Sequence, residues 1–322
     1  MAKKIKNKSS NAKKGLKGPA AIVFIVIVCT ILVIYAISQF VVLGWGLMTS
    51  LKADIEFQFS TIKFPDINGT SKETFWGLKH YANLINFTLK PSGGYYSMGR
   101  EITYETEVNF LGMLGNSILY MSIAGIMVTF VPCIVAYMCS KYKFFFSKVI
   151  TGIVVAILSF HIIGAEPAAV RLLRDLGLYD SFFGMAVQHF TFLGMYYLVF
   201  LAYFDSLSDG YMEAAEIDGA PQFRVLVSIA LPLAAKMIST VFLIRAIGFW
   251  NDYNTPLLYL PSKPTLAYGI WKARESSNSA DGLNSVPAKV ACGMILAIPM
   301  TIIFIVFKDK LMGNITMGGL KE

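Results

Sequence analysis

Two groups of polar residues stand out against an otherwise apolar chain. Glu166, Arg245, Asn251 and Asp252 lie inside or at the ends of long apolar stretches, and Trp250 and Tyr253 flank the last two. Hydrogen-bonding groups beside aromatic faces suit the passage of a polyhydroxylated solute. An ionisable residue inside a membrane span points to function, because an unpaired charge there is costly. Aromatic residues alone carry less, since belts of Trp and Tyr mark the interfaces of any membrane protein. The second group is the hydrophilic run from Asp205 to Arg224, which contains Glu213, Glu216 and Asp218.

Reactive constellations are missing. The sequence has no G-x-x-x-x-G-K-[ST] loop, so the chain does not hydrolyse ATP by that route. It has no H-E-x-x-H, no paired C-x-x-C and no G-x-S-x-G elbow. His80, His161 and His189 are far apart and read as satisfied polar residues. Cys29, Cys133, Cys139 and Cys292 all fall in apolar stretches and read as small buried hydrophobes. Neither an enzyme nor a metal or cofactor site is expected.

The elements that position the polar residues follow from composition. The 322-residue chain is 55% hydrophobic, 14% aromatic and 15% charged, whereas soluble domains run near a quarter charged. Surface grows nearly as fast as volume in small folds, so this much apolar area has lipid as its natural solvent. A soluble enzyme, a disordered regulator and a secreted disulfide scaffold are excluded. The net charge of +8 does not argue for nucleic acid, because Lys3, Lys4, Lys6, Lys8, Lys13, Lys14 and Lys17 sit directly before an apolar run. Anionic lipid is the simpler partner for such a cluster.

Uncharged stretches cover Ala20–Leu51, Phe110–Ser140, Val149–Ala165, Ser181–Phe204 and Val290–Phe307. A weaker one, Val225–Leu260, is interrupted by Lys236 and Arg245. Each is read as a helix crossing about 30 Å of hydrocarbon. The first is too long for the apolar core of a signal peptide, so it is read as an uncleaved helix. The expectation is an all-α polytopic membrane protein with six transmembrane helices. The basic tail and the basic run Ser140–Lys148 place both termini in the cytoplasm. The divisions are a basic cytoplasmic tail over 1–19, a first transmembrane helix over 20–50 and an extracytoplasmic loop over 51–108. A transmembrane domain over 109–308 and a cytoplasmic tail over 309–322 complete the chain. The long loop holds Gly- and Tyr-rich segments such as Pro91–Tyr96 and the weak N-x-[ST] matches at Asn68 and Asn86.

The run from Asp205 to Arg224 reads as a helix–turn–helix on the membrane surface. Ser208 or Asp209 can cap a short helix carrying Glu213 and Glu216. Asp218-Gly219 supplies its stop, and Pro221 suits the first turn of the next helix. Ala214 and Ala215 would let another protein approach the backbone closely.

Glu213-Ala214-Ala215, Gly219, Ile229 and Leu231-Pro232 resemble, at every fixed position, the EAA---G---------I-LP loop of ABC-importer permeases. Asn116-Ser117, Ala136-Tyr137, Gly177–Gly184, Phe249–Tyr253 with Pro256-Leu257, and Met317–Lys321 are similar to the second permease subunit of maltose-type carbohydrate systems. Lys236 departs from the family, which usually has proline there, and no proline stands near His161–Ile163.

The resemblance implies an ABC type I importer transmembrane domain with its ATPase-coupling loop over 205–232. It further implies a heterodimer with a homologous permease, two ATPase subunits docked on the coupling loops, and an extracytoplasmic solute-binding protein. Glu213, Ala214, Ala215, Asp218, Gly219, Ile229, Leu231 and Pro232 would form the coupling loop. Glu166, Arg245, Trp250, Asn251, Asp252 and Tyr253 would line the path, with the alternative that Arg245 pairs with the partner permease. The solute is expected to be a sugar, with a polyol, glycerol phosphate or another small solute as alternatives. An ATP-independent transporter or channel is the competing class, and it would need no loop shaped for an ATPase.

The topology is testable by labelling. Cysteines introduced at Ser10 and Gln222 should both resist an impermeant thiol reagent in intact cells and react after lysis. Labelling of either from outside would overturn the assigned orientation.

Overall fold

The computed structural model describes residues 19–65, 77–142, 144–160, 164–275 and 285–312. Lys3–Lys17, Asn68, His161–Ile163 and the Met317–Lys321 tail lie outside the described residues. The chain divides into two compact units, Met1–Gly77 and Leu78–Glu322.

In the first unit, α1 (Pro19–Ser50) is 32 residues long, about 48 Å at 1.5 Å per residue. Its large apolar side chains from Ile22 to Val42 are exposed all round the helix, as expected where lipid replaces water. Near its C-terminal end Trp45 Nε1 donates to the Thr61 carbonyl (3.2 Å), and just after it Lys52 Nζ donates to that of Ser60 (2.9 Å). These bonds fold the chain back over the short helix α2 (Asp54–Phe59).

The second unit begins with the end of α3 (Gly77–Ile85) and four short strands. β1 (Thr88–Leu89) pairs antiparallel with β4 (Val108–Asn109), and β2 (Ser92–Ser97) with β3 (Arg100–Glu105). The β2–β3 turn is Met98-Gly99, both at positive φ (50° and 74°), the two-residue turn whose twist matches that of the strands. The hairpin is pinned by Ser97 Oγ, which donates to the Arg174 carbonyl at 2.7 Å. Tyr95 packs edge-on to Tyr179 at 4.6 Å, and the Arg174 guanidinium lies over both rings. Burial raises the Tyr95 and Tyr104 hydroxyl pKa values, and the Asp180 charge adds to both shifts.

Helix α4 (Phe110–Lys141) opens on Asn109, whose Oδ1 accepts from the Gly112 N–H at 2.8 Å. It is followed by α5 (Phe145–Ser159), α6 (Ala165–Asp175), α7 (Phe182–His189), α8 (Met195–Ser206), α9 (Gly210–Ile217) and α10 (Gln222–Val225). A π-helical turn, Leu226–Ala230, leads into α11 (Leu231–Asn251), then α12 (Asn254–Tyr259), α13 (Leu266–Glu275) and α14 (Val286–Met312). Helix α4 packs against α7, α8 and α11. One core joins Tyr137 and Cys139 to Phe200, Phe204, Val225 and Val241. A second joins Met113 to Trp250, Ile270 and Cys292.

The expected count of six spanning helices is corrected. Four described helices are long and apolar enough to cross a membrane: Ile22–Ser50, Phe110–Lys141, Gln222–Asn251 and Val286–Phe307. The stretch Val149–Ala165 overlaps the 15-residue α5 (Phe145–Ser159), about 22 Å long. Before α6 the chain turns at Gly164, whose φ is +87°. The stretch Ser181–Phe204 is two helices of 8 and 12 residues. Ser181 Oγ caps the first by accepting from Gly184 N–H (3.0 Å), and Thr191 Oγ1 accepts from Leu193 N–H (3.1 Å) in the break. Polar groups of serine and threonine therefore interrupt a run that composition reads as continuous. The all-α expectation is also refined: the fold is mostly helical, with two small two-stranded sheets among the described residues of the 51–109 region.

Gly184 sits where a Cβ would overlap the Leu178 carbonyl and press on the Ser181 hydroxyl. Gly184→Ala should therefore destabilise the solubilised protein by about 1–3 kcal/mol, as overpacking does. Gly152→Ala, with nothing within 4 Å of the new atom, should not lower the thermal midpoint. Equal midpoints for the two variants would contradict this packing.

Candidate functional site

Glu213, Ala214 and Ala215 lie on one short helix, and Asp218 and Gly219 lie in its exit turn. Helix α9 begins where Ser208 Oγ accepts from the Gly210 N–H (3.3 Å) and the Asp209 carbonyl accepts from Met212 and Glu213 N–H (2.9 and 3.0 Å). Met212 and Ala215 are buried against the core, whereas Tyr211, Glu213, Ala214 and Ile217 face outward. Gly219 has φ +73°, and Ala220 N–H reaches back to the Ala215 carbonyl (3.0 Å) while Asp218 N–H bonds Ala214 (3.1 Å). A left-handed residue followed by a bond spanning five residues is how many helices end, and glycine adopts that conformation without a Cβ penalty.

Pro221 stands one position earlier than expected, as the cap of α10 rather than in its first turn. Ile229 and Leu231 pack against the core at the start of α11. Pro232 lacks an N–H and its ring would crowd the carbonyl four residues back. The π-helical turn just before it relaxes that ladder, with Leu231 N–H bonding the Leu226 carbonyl. Beside Glu213, Tyr211, Ile217 and Phe223 are 57%, 86% and 76% exposed. Glu213 is therefore exposed on a segment that also exposes large apolar side chains.

The six path candidates are not gathered into one cluster. Trp250 is 4% exposed and donates through Nε1 to the Leu296 carbonyl (3.1 Å), which makes it a pin between α11 and α14. Asn251 Nδ2 donates to the Ile247 carbonyl on its own helix (3.0 Å). Asp252 caps α12 by accepting from Asn254 and Thr255 N–H (3.0 and 3.1 Å), and its second oxygen accepts from Tyr120 OH (2.9 Å). Tyr253 is stacked on Trp271, 5.4 Å between centroids and 9° between planes. Glu166 accepts from Tyr259 OH at 2.5 Å.

Arg245 lies over the Phe249 ring at 4.6 Å and faces Tyr196 at 5.9 Å, with its Nε buried and unbonded. His189 touches the other side of this group, 4.9 Å from Phe249 and 6.1 Å from Tyr120. Arg245 and Asp252 are thus joined through Phe249, His189 and Tyr120, three residues that the sequence reading did not select. The i, i+4 relation of Arg245 and Phe249 on α11 was the available signal; the approach of α7 and α4 had none. Among the described residues, no group of three or more His, Cys, Asp or Glu is placed to hold a metal ion.

Proteins of similar sequence and fold are known. A putative ABC transporter permease protein of Caldicellulosiruptor sp. (strain Rt8B.4) is 27% identical over 220 residues, covering 67% of this chain and 78% of the relative. The diacetylchitobiose uptake system permease protein of Streptomyces coelicolor is 23% identical over 289 residues, covering 89% and 86%. The crystal structure of a bacterial ABC transporter involved in the import of the acidic polysaccharide alginate contains a chain with the same fold. Its TM-score is 0.69 at 20% identity, over 92% of this chain and 99% of that one. Residues 110–312 match the family of binding-protein-dependent transport system inner membrane components, and the chain belongs to that family.

Proposed function

We propose that this chain is a permease subunit of an ATP-driven, binding-protein-dependent importer in a bacterial cell membrane, and that its solute is a sugar, in particular an oligosaccharide. The observation that carries the proposal is the exposed α9 with its Gly219-terminated exit, inside the segment 110–312 that the family covers. An ATP-independent channel has no use for such a surface. Relatives named for diacetylchitobiose uptake and for alginate import support a saccharide.

In this reading the chain has no engine of its own. It pairs with a homologous permease, two ATPase subunits dock beneath, and a binding protein delivers the sugar from outside. Both termini and α9 face the cytoplasm, with Glu213 and Ala214 against an ATPase. Closure of the ATPase dimer draws α9 inward and turns the helices from inward- to outward-facing. Arg245, Asp252, Glu166 and Tyr253 stand as path candidates, whereas the burial of Trp250 supports a structural part for it.

Gly219→Val and Glu213→Lys test the coupling surface. A Cβ at Gly219 meets nothing within 4 Å, so valine acts through its backbone. Holding a β-branched residue at positive φ costs roughly 1–2 kcal/mol and re-aims the next helix. Glu213 is exposed, so reversing its charge leaves the bundle intact and opposes docking. Both variants should insert and pair with the sister permease, yet lose ATPase association, binding-protein-stimulated hydrolysis and sugar uptake in reconstituted vesicles. Uptake at the unmodified rate by both would remove the importer reading's main support.

A further inference from the structure

Helix α9 is eight residues long, and among its described side chains Met212 and Ala215 are the buried ones. An apolar seam that narrow leaves a surface helix free to roll. Three consecutive residues at the C-terminal end of α4 prevent this. Ser140 Oγ donates to Asp205 Oδ1 at 2.5 Å. Lys141 Nζ donates to the Leu207 carbonyl and to Asp209 Oδ1, each at 2.8 Å. Tyr142 OH donates to Gln222 Oε1. Asp205, Leu207 and Asp209 precede α9 and Gln222 follows it, so both ends of the loop are tied to one helix end.

Lys141 is the centre of this clamp. Its side chain is 8% exposed while that of Asp209 is 62% exposed. A nearly buried ammonium must be hydrogen-bonded to be tolerated, and its place in the last turn of α4 is favoured by the helix dipole. Aromatic packing backs it: Tyr142 lies edge-on to Tyr137 at 5.9 Å, and Tyr137 to Phe204 at 5.4 Å.

The far end of α4 is tied in the same manner. Asn116 Nδ2 donates to the Pro264 carbonyl (3.0 Å), Ser117 Oγ accepts from Leu266 N–H (2.7 Å), and Tyr120 bonds Asp252. Ser117 and Ser140 are separated by about 34 Å along the helix at 1.5 Å per residue. Pro132, the proline inside α4, is buried, so neighbouring helices brace the point where its hydrogen bonding is interrupted.

We propose that α4 is the strut that carries motion of α9 to the opposite end of the bundle, with Lys141 as the positioning residue that makes the loop and the strut move together. The proposal rests on the importer reading. Without the clamp, α9 can still occupy an ATPase, but its displacement is spent in rolling against the bundle.

The test uses the complete transporter, with sister permease, ATPase subunits and binding protein, in vesicles, and reads sugar taken up per ATP hydrolysed. Lys141→Met should retain ATPase association and stimulated hydrolysis while uptake per ATP falls about tenfold, the scale on which residues along a coupling network act. Lys141→Arg keeps donors for both Leu207 and Asp209 and should restore most of the ratio. A merely structural role would lower hydrolysis and uptake together and leave the ratio unchanged, and that result overturns the proposal. If Lys141→Met does not accumulate, the exposed partner decides: Asp209→Ala should lower the same ratio, and an unchanged ratio overturns the clamp. Should Glu213→Lys abolish uptake while both clamp variants couple normally, only the clamp falls. Normal uptake by both Glu213→Lys and Gly219→Val would remove the importer reading's main support, and the clamp would fall with it.

Discussion

Helix α4 can occupy the middle of the second unit because part of its surface is small. Ala124, Gly125 and Ala136 are buried along it, and a Cβ on Gly125 would run into the Phe242 ring of α11. In lipid there is little hydrophobic gain in bringing two helices together, so close backbone approach and shared hydrogen bonds must do that work. The small positions let α11 come near, and α7 and α8 then close around the same helix. Two distant regions of the unit are referred to this axis. The hairpin region enters it through Asn109, and the 205–224 loop meets its opposite end.

Polar side chains join elements whose apolar surfaces alone would slide. Trp250 ties α11 to α14 through one carbonyl, Tyr120 ties α4 to the cap of α12, and Tyr179 OH reaches the Leu258 carbonyl at 2.8 Å. Each uses an aromatic body to fill the core and a polar tip to satisfy a backbone or carboxylate group. Arg245 departs from this pattern. It has aromatic faces on two sides, and its buried Nε has no hydrogen-bond partner among the described residues.

The 205–224 loop shows how local and tertiary demands divide the work of a short motif. Gly219 is needed for the backbone, because the exit of α9 requires a positive φ. Ala215 is needed for packing, because that side of α9 lies on the core. Glu213 and Ala214 serve neither purpose and are left exposed. Asp209 forms the ion pair with Lys141, and the Ser208 hydroxyl accepts from the Gly210 N–H at the start of α9.

The sequence by itself determined the solvent, the long apolar helices and the helix–turn–helix, since each depends on composition or on residues within a few positions of one another. Depletion of charge sets the first, uninterrupted length sets the second, and Gly219 with Pro221 sets the third. The same local logic counted six spans and failed where Thr191 and Gly194 lie between α7 and α8 within an uncharged stretch. It also grouped Trp250 with Arg245, because neighbours in sequence on a helix point to different sides. Only the tertiary structure decided that Trp250 turns into the α14 interface while Arg245 meets Phe249 and Tyr196. It alone brought Lys141 to Asp209 and Tyr120 to Asp252, 68 and 132 residues apart. Such pairings are set by which helix faces can approach closely enough to pack, and that is a property of surfaces meeting in three dimensions rather than of any segment read alone.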